Sequence, residues 1–413
     1  MRRVLKILLP FFGICLIVAV AMLLTGLVTP KYEGDSSPLE GNFTAEYYEE
    51  TTSHDVIVLG DCEVYENFDP ISIWKNYGIT MYIRGNADQK LWQSYYLLED
   101  TLITETPKVV VLNVQQLMFD KPEKEEYNRM VFDGMRWSCA KMSGILASMM
   151  PDENIIDYIF PILRYHSRIT QLSQTDFEYY FNRRHITHNG YYMRIDVLPV
   201  SESDVASDDW VKKQYGYAAG HHKKTADSEG DEVQDIEDPW GEYSDDEDEV
   251  EDPWEEHSEY DGETGESRDD DIFGKYAIEY LDKICSLCKE NGIRLVLVKA
   301  PSLSPVWTAE QEGWVEEYTK DAGLEYINFY ELLNETGIDY ETDTYDGGLH
   351  MNYSGALKLS GYLGEYLYDE CGLEDHRGDE ALSSAYDEKI HFQEDMIKAQ
   401  NNEIIEYGEI VSY

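Results

Sequence analysis

Two short segments of the chain hold the residue types needed for nucleophilic acyl chemistry. One is Gly60-Asp61-Cys62-Glu63, with a thiol just after an apolar run. The other is Asp346-Gly347-Gly348-Leu349-His350-Met351-Asn352, with a carboxylate and an imidazole four residues apart. A thiolate is a strong nucleophile that forms thioesters, an imidazole can take and return its proton, and a carboxylate can fix the imidazole tautomer. Asp343 and Asp339 compete with Asp346 for the last role. The plain alternatives are a small residue packed in a tight turn for Cys62 and a backbone-bonded histidine for His350. Most of the chain separates the two segments, so a fold must join them.

The flanking pattern supplies such a fold. Apolar runs at residues 55–60 (DVIVLG), 79–84 (ITMYIR), 109–113 (VVVLN), 294–299 (RLVLVK) and 324–329 (LEYINF) read as five strands. Helix-like sequence follows each of the first three: residues 89–102 are amphipathic, and residues 154–172 read as a helix broken near Pro161. Residues 276–290 read as another helix, with Gly292 as its C-terminal cap. Strands alternating with helices predict a three-layer α/β/α fold with a mainly parallel five-stranded sheet. In such sheets ligands bind beyond the carboxyl ends of the strands, which is where Cys62 stands.

With these segments in order, the sequence resembles the SGNH or GDSL hydrolase superfamily. Its first block places a nucleophile after strand one in a Gly-Asp-Ser context, and its last supplies Asp and His shortly before a C-terminal helix. The two middle blocks are similar to Gly85-Asn86 and to Asn113. Among its members, membrane-anchored extracytoplasmic proteins similar to those of teichoic acid D-alanyl transfer and alginate acetylation are the nearest in organisation. The resemblance implies Cys62 as nucleophile, His350 as base and Asp346 as orienting acid. It also implies an oxyanion hole from the Cys62 and Gly85 backbone N–H groups and the Asn113 side chain, each donor worth about 3–4 kcal/mol in the transition state. Two departures stand out: Cys62 replaces the usual Ser, and Asp346 precedes His350 by four residues where three is common. No cofactor or metal is called for.

Other clusters are candidates of lower rank. Arg164, His166 and Arg168 could hold an anionic or sugar substrate, or form a solvated helix face; Lys299-Ala300-Pro301-Ser302 ends a strand and could line the cleft. His188-Asn189-Gly190-Tyr191-Tyr192 reads as a substrate loop or a hairpin turn. Cys285 and Cys288 form a C-x-x-C without a second pair for zinc, which favours core packing or a local disulfide.

Residues 7–28 are 22 uncharged residues, enough to span a bilayer core of about 30 Å, preceded by Arg2, Arg3 and Lys6 and followed by Glu33 and Asp35. One N-terminal transmembrane anchor (residues 1–30) is expected, with the N-terminus cytoplasmic and the main domain extracellular. A cleaved signal peptide is the rival, but the run is long and no A-x-A-like site follows. Cys15 follows Phe-Gly-Ile, unlike a lipoprotein box. The five later cysteines, an odd number, imply at least one free thiol. Residues 201–271 carry 28 acidic against 5 basic residues and repeat Glu-Asp-Pro-Trp at 237–240 and 251–254. They read as an acidic disordered insertion, or a calcium site, within an α/β domain of residues 31–200 and 272–373, followed by a C-terminal tail (374–413). A net charge of −50 excludes a nucleic-acid surface and disfavours bare anionic lipid. The expected function is an anchored acyl esterase or acyltransferase on O-acyl groups of a cell-envelope polysaccharide or lipid-linked glycan. The resemblance adds a membrane-bound O-acyltransferase as partner. The alternative is a catalytically inactive glycan-binding or envelope-assembly protein on the same scaffold.

Overall fold

The computed structural model describes residues 2–29, 43–122, 124–182, 187–200 and 272–410. The acidic segment 201–271, with its Glu-Asp-Pro-Trp pair and His221-His222, lies outside these residues. Five strands form one sheet: β1 (Val56–Gly60), β2 (Met81–Gly85), β3 (Val109–Asn113), β4 (Arg294–Lys299) and β5 (Glu325–Asn328). Their order is β2-β1-β3-β4-β5, and every pairing is parallel. The chain therefore starts in the middle, steps to one side for β2, and reverses to the other for β3. The crevice between the carboxyl ends of β1 and β3 is the switch point where such sheets bind ligands.

Side-chain alternation along the strands explains the three layers. Val56 and Val58 of β1 join Met81, Ile83, Val109, Val111, Val296 and Val298 on one face. Helices Pro70–Tyr77 and Tyr353–Asp369 cover this face. Ile57 and Leu59 join Tyr82, Val110, Leu112, Leu295 and Leu297 on the other. Helices Leu91–Thr104, Lys275–Glu290 and Ala309–Ala322 cover that one. Because both faces are buried, the strands read as nearly continuous apolar runs. Each fully buried aliphatic side chain contributes about 1.5–3 kcal/mol relative to exposure.

Helix ends follow their local chemistry. Asp69 caps Pro70–Tyr77 by accepting from Ile71 N at 2.9 Å, and Gly78 ends that helix at φ +70°. Gly292, at φ +68°, stands one residue past the cap of Lys275–Glu290, as its sequence position predicts. The segment around Pro161 divides into Ile155–Ile159, Pro161–Tyr165 and a 3₁₀ turn, His166–Thr170. After residue 373 a 28-residue helix, Glu380–Tyr407, packs back on the domain. Tyr386 stacks on Trp74 with centroids 4.0 Å apart, and Gln393 donates to the Asp69 carboxylate at 3.0 Å.

Arg2–Val28 form a helix whose last residues, Leu27 and Val28, are buried against the domain. Among the described residues no helix is long and apolar enough to cross a membrane. The side chains of residues 7–11 and 14, part of the expected span, lie outside that description. All six cysteines are free: Cys285 Sγ sits 3.4 Å from the Tyr318 hydroxyl and Cys288 is buried, so this C-x-x-C is core packing and not a disulfide.

Candidate active site

The site begins with a turn that only glycine fits. Gly60 ends β1 in register with Gly85 of β2. A Cβ on Gly60 would come within 2.8 Å of both Val64 methyls and 3.0 Å of Asn113 Cβ. The bare backbone lets a short helix, Cys62–Tyr65, start immediately beyond the strand. Asp61 caps it, accepting from Glu63 N at 3.1 Å and from Asn113 Nδ2 at 3.2 Å. Cys62, at the first helical position, has a backbone N–H for which its helix supplies no carbonyl. Its side chain is partly exposed.

The second segment meets the first across the crevice. Gly347 and Gly348 sit at φ +78° and +91°, a left-handed pair that turns the loop back toward the sheet. Asp346 then receives His350 twice. Oδ1 accepts the His350 backbone N–H at 2.9 Å, and Oδ2 lies 2.6 Å from His350 Nδ1. The four-residue spacing is thus compatible with an oriented imidazole. Asp343 is engaged instead by Lys358 at 2.5 Å and by Asp339 N at 2.7 Å, and Asp339 accepts from Glu341 N, so Asp346 is the acid on His350. With Nδ1 held, Nε2 is the nitrogen left to exchange a proton with Cys62. The charge of the His350 ring acts on that thiol, opposing the effect of its burial.

The other expected residues divide. Asn113 is fully buried; its amide holds Asp61 and its oxygen caps the following turn by accepting from Gln115 N at 3.3 Å. Gly85 lies under the Cys62–Tyr65 helix, where a Cβ would meet Tyr65 Cδ1 at 3.1 Å. Lys299 is fully buried behind the site, donating to Ala300 O at 2.6 Å and facing the charges of Glu63 and Asp61. It balances carboxylates and does not line a cleft. Arg164, His166 and Arg168 belong to another part of the molecule: Arg164 pairs with Glu125 at 3.2 Å, His166 is exposed on Leu163 O, and Arg168 holds Val28 O at 2.8 Å and Asp176 at 3.1 Å. The His188–Tyr191 segment is a buried turn against β2, where Asn189 O accepts from Ile83 N at 2.9 Å.

Sequence reasoning missed Glu66. It is buried, 3.6 Å from His350 Nδ1, and takes a hydrogen bond from the Tyr345 hydroxyl. Its position one helical turn after Cys62 was the available signal. Glu63 is also buried, bonded by Ser302 and by Gln115 at 3.1 Å. Burial pushes the Glu63 carboxyl up to about 7 against the pull of Lys299, and burial raises Asp61 and Glu66 as well.

Burial also drives the Cys62 thiol well above its ordinary range, although His350 opposes this. For His350, burial favours the neutral ring, but the charges of Glu66, Cys62 and Asp346 outweigh it and lift its pKa well above 6.5. A neutral thiol leaves Glu66 and Asp346 as the charges that matter. Both shifts point the same way, toward a protonated thiol and a protonated ring. The chemistry this arrangement allows is proton exchange between a nucleophile and an oriented imidazole, switched on as His350 loses its proton.

Compared with known proteins, the chain matches no family model and no curated sequence. What the coordinates define is a class: a doubly wound parallel α/β protein with a Cys-His-Asp constellation at the switch point of its sheet.

Proposed function

We propose that the chain is a membrane-anchored, extracytoplasmic acyl esterase or acyltransferase of SGNH type, acting on O-acyl groups of a cell-envelope polysaccharide or lipid-linked glycan. The observation that carries this reading is the His350 imidazole, fixed at 2.6 Å by Asp346 and brought to 3.6 Å from Glu66, the residue that ends the Cys62 turn at the carboxyl end of β1. In the reaction the Cys62 sulfur bonds to the acyl carbonyl carbon while its proton passes to His350 Nε2. The bond between the acyl carbonyl carbon and the sugar oxygen breaks, and the sugar leaves as its alcohol with the proton returned by His350. Water, or the hydroxyl of an acceptor, then attacks the thioester by the reverse route. The Cys62 N–H, which its own helix leaves without a carbonyl, serves in this reading as a donor to the developing oxyanion.

The anchor is part of the same proposal. Residues 7–28 carry no charge and basic residues precede them, which supports one span with the domain outside. A multi-spanning O-acyltransferase partner follows from the family resemblance alone. The second reading, an inactive glycan-binding protein, is favoured by the surroundings of Cys62, which push its thiol up, away from the thiolate that attack requires.

Turnover of a chromogenic acetyl ester by the full-length protein separates the two. Loss of at least about a hundredfold in kcat for Cys62→Ala and for His350→Asn, with iodoacetamide protection by substrate, supports the enzyme. Equal rates for wild type and Cys62→Ala would remove it. Glycan affinity that survives both substitutions would then establish the binding protein.

A further inference from the structure

The run between residues 154 and 182 is an unusual surface. It consists of short helices, Ile155–Ile159, Pro161–Tyr165 and Gln174–Asn182, with the 3₁₀ turn His166–Thr170 among them. From successive turns it exposes Ile156, Phe160, Leu163, Ile169, Phe177 and Phe181. Phe160 is 56% and Phe181 63% exposed, and the Phe177 and Phe181 rings stack at 6.4 Å. Isolated apolar side chains on a surface are ordinary, but six exposed within 26 residues are a local concentration of apolar surface. The segment is also poor in net charge. Residues 154–182 carry Arg164 and Arg168, with His166, against Asp157, Asp176 and Glu178, in a chain of net −50.

The N-terminal helix ends on this same surface. Leu27 and Val28 are buried there, Arg168 Nη1 donates to Val28 O at 2.8 Å, and Tyr180 lies so close to Gly26 that a Cβ would fall 2.1 Å from its ring. Before that junction the helix exposes Phe12, Leu16, Ile17, Val18, Val20 and Met22. Exposed apolar side chains thus stand on both sides of the docked last turn, on the helix before it and on residues 154–182 that receive it.

We infer that residues 154–182 form a second membrane contact, an apolar face seated in the headgroup region of the leaflet from which the N-terminal helix emerges. Short helices with aromatic and aliphatic side chains on one side behave in this way, their rings resting at the acyl boundary. The face is nearly neutral where the rest of the protein is strongly acidic, so the charge that repels anionic lipid elsewhere is absent here. Helix and face together fix the domain's tilt and hold the Cys62 crevice at a set height above the lipid. The inference rests on the anchor being a membrane span.

The test uses the full-length protein reconstituted in vesicles of equal parts phosphatidylcholine and phosphatidylglycerol, doped with a phosphatidylcholine carrying a diazirine high on its acyl chain. After irradiation, peptide mapping reads the lipid adducts. Adducts are expected on residues 7–28 and also on peptides bearing Phe160, Phe177 and Phe181. The yield on the latter should be roughly tenfold or more above that on the exposed helix Ala309–Ala322. A Phe160→Glu/Phe181→Glu variant should lose the second set and keep the first. Adducts on 7–28 alone would overturn the second contact and leave the anchor standing. Adducts on neither would overturn both. Equal yields on the face and on the control helix would show non-specific labelling and overturn the second contact too.

Discussion

Replacing Glu66 by Gln keeps the shape of the side chain and removes one charge from behind the imidazole. In the wild-type protein the carboxylate lies 3.6 Å from His350 Nδ1 in a buried setting. At that distance and an effective dielectric of ~20, Coulomb's law gives about 5 kcal/mol favouring the imidazolium. Asp346 still holds Nδ1 at 2.6 Å, so the ring keeps its orientation and only part of its support for the charge. The titration of His350 should move to lower pH, enough to raise the neutral fraction of the ring at pH 7 by roughly tenfold or more. Histidine Cε1–H resonances followed against pH, with His350 assigned by its loss in His350→Asn, read this without any substrate. If ester turnover is present, the rise of its pH profile moves the same way. Stability changes with a definite sign. Because the folded-state pKa of His350 is raised, its stabilisation is complete below the unfolded value and is lost as pH rises through the folded value. Glu66→Gln should flatten that alkaline loss. A His350 titration that stays within a factor of two of wild type would refute the two-carboxylate account of the site.

Three further outcomes follow from the same geometry. Peptide-resolved iodoacetamide labelling at neutral pH should modify exposed Cys139 at least about tenfold faster than Cys62, with the Cys62 rate climbing as pH rises; equal rates would contradict a thiol raised by burial. Gly60→Ala forces a Cβ to within 2.8 Å of Val64 and should cost about 1–3 kcal/mol in urea unfolding, with loss of any turnover; an unchanged midpoint would show that the turn can relax. His54 is buried between Glu105 at 3.1 Å and Glu50 at 3.6 Å, and their hydrogen bonds outweigh burial to raise its pKa. His54→Ala should cost about 3 kcal/mol below the ordinary value of 6.5, and less as pH rises through the raised folded value; a cost independent of pH would argue that only packing is lost.

The strands were legible because both faces of the sheet are buried. Such strands appear as uninterrupted apolar runs, and β1, β3 and β4 fall within a residue of the runs that predict them. The same pattern cannot tell how the two edges are ordered. That β2 lies on one side of β1 and β3 on the other depends on which way each connection crosses, and so the switch point emerges only from the assembled sheet. At the site, Cys62 and His350 were readable as a thiol and an imidazole in glycine-rich turns. Glu66 offered only its place one turn after Cys62, since a glutamate capping a short helix shows its burial only when Tyr345 and His350 close over it.

Charge illustrates the same division. Lys299 at a strand end and Arg168 in a basic cluster look alike in sequence as groups awaiting an anion. Packing sends Lys299 beneath the site, to face Glu63, and Arg168 to the carbonyl of Val28. By itself the sequence determined the apolar N-terminal run, the strand and helix periodicity, and the chemical types available at the strand ends, because these are local properties of composition and spacing. Only the tertiary structure decided which acid holds His350, which second acid charges it, and which cations never meet the crevice. Those outcomes depend on distances of a few ångströms, among neighbouring carboxylates for Asp346 and across 284 positions for Glu66 and His350, which no local pattern encodes.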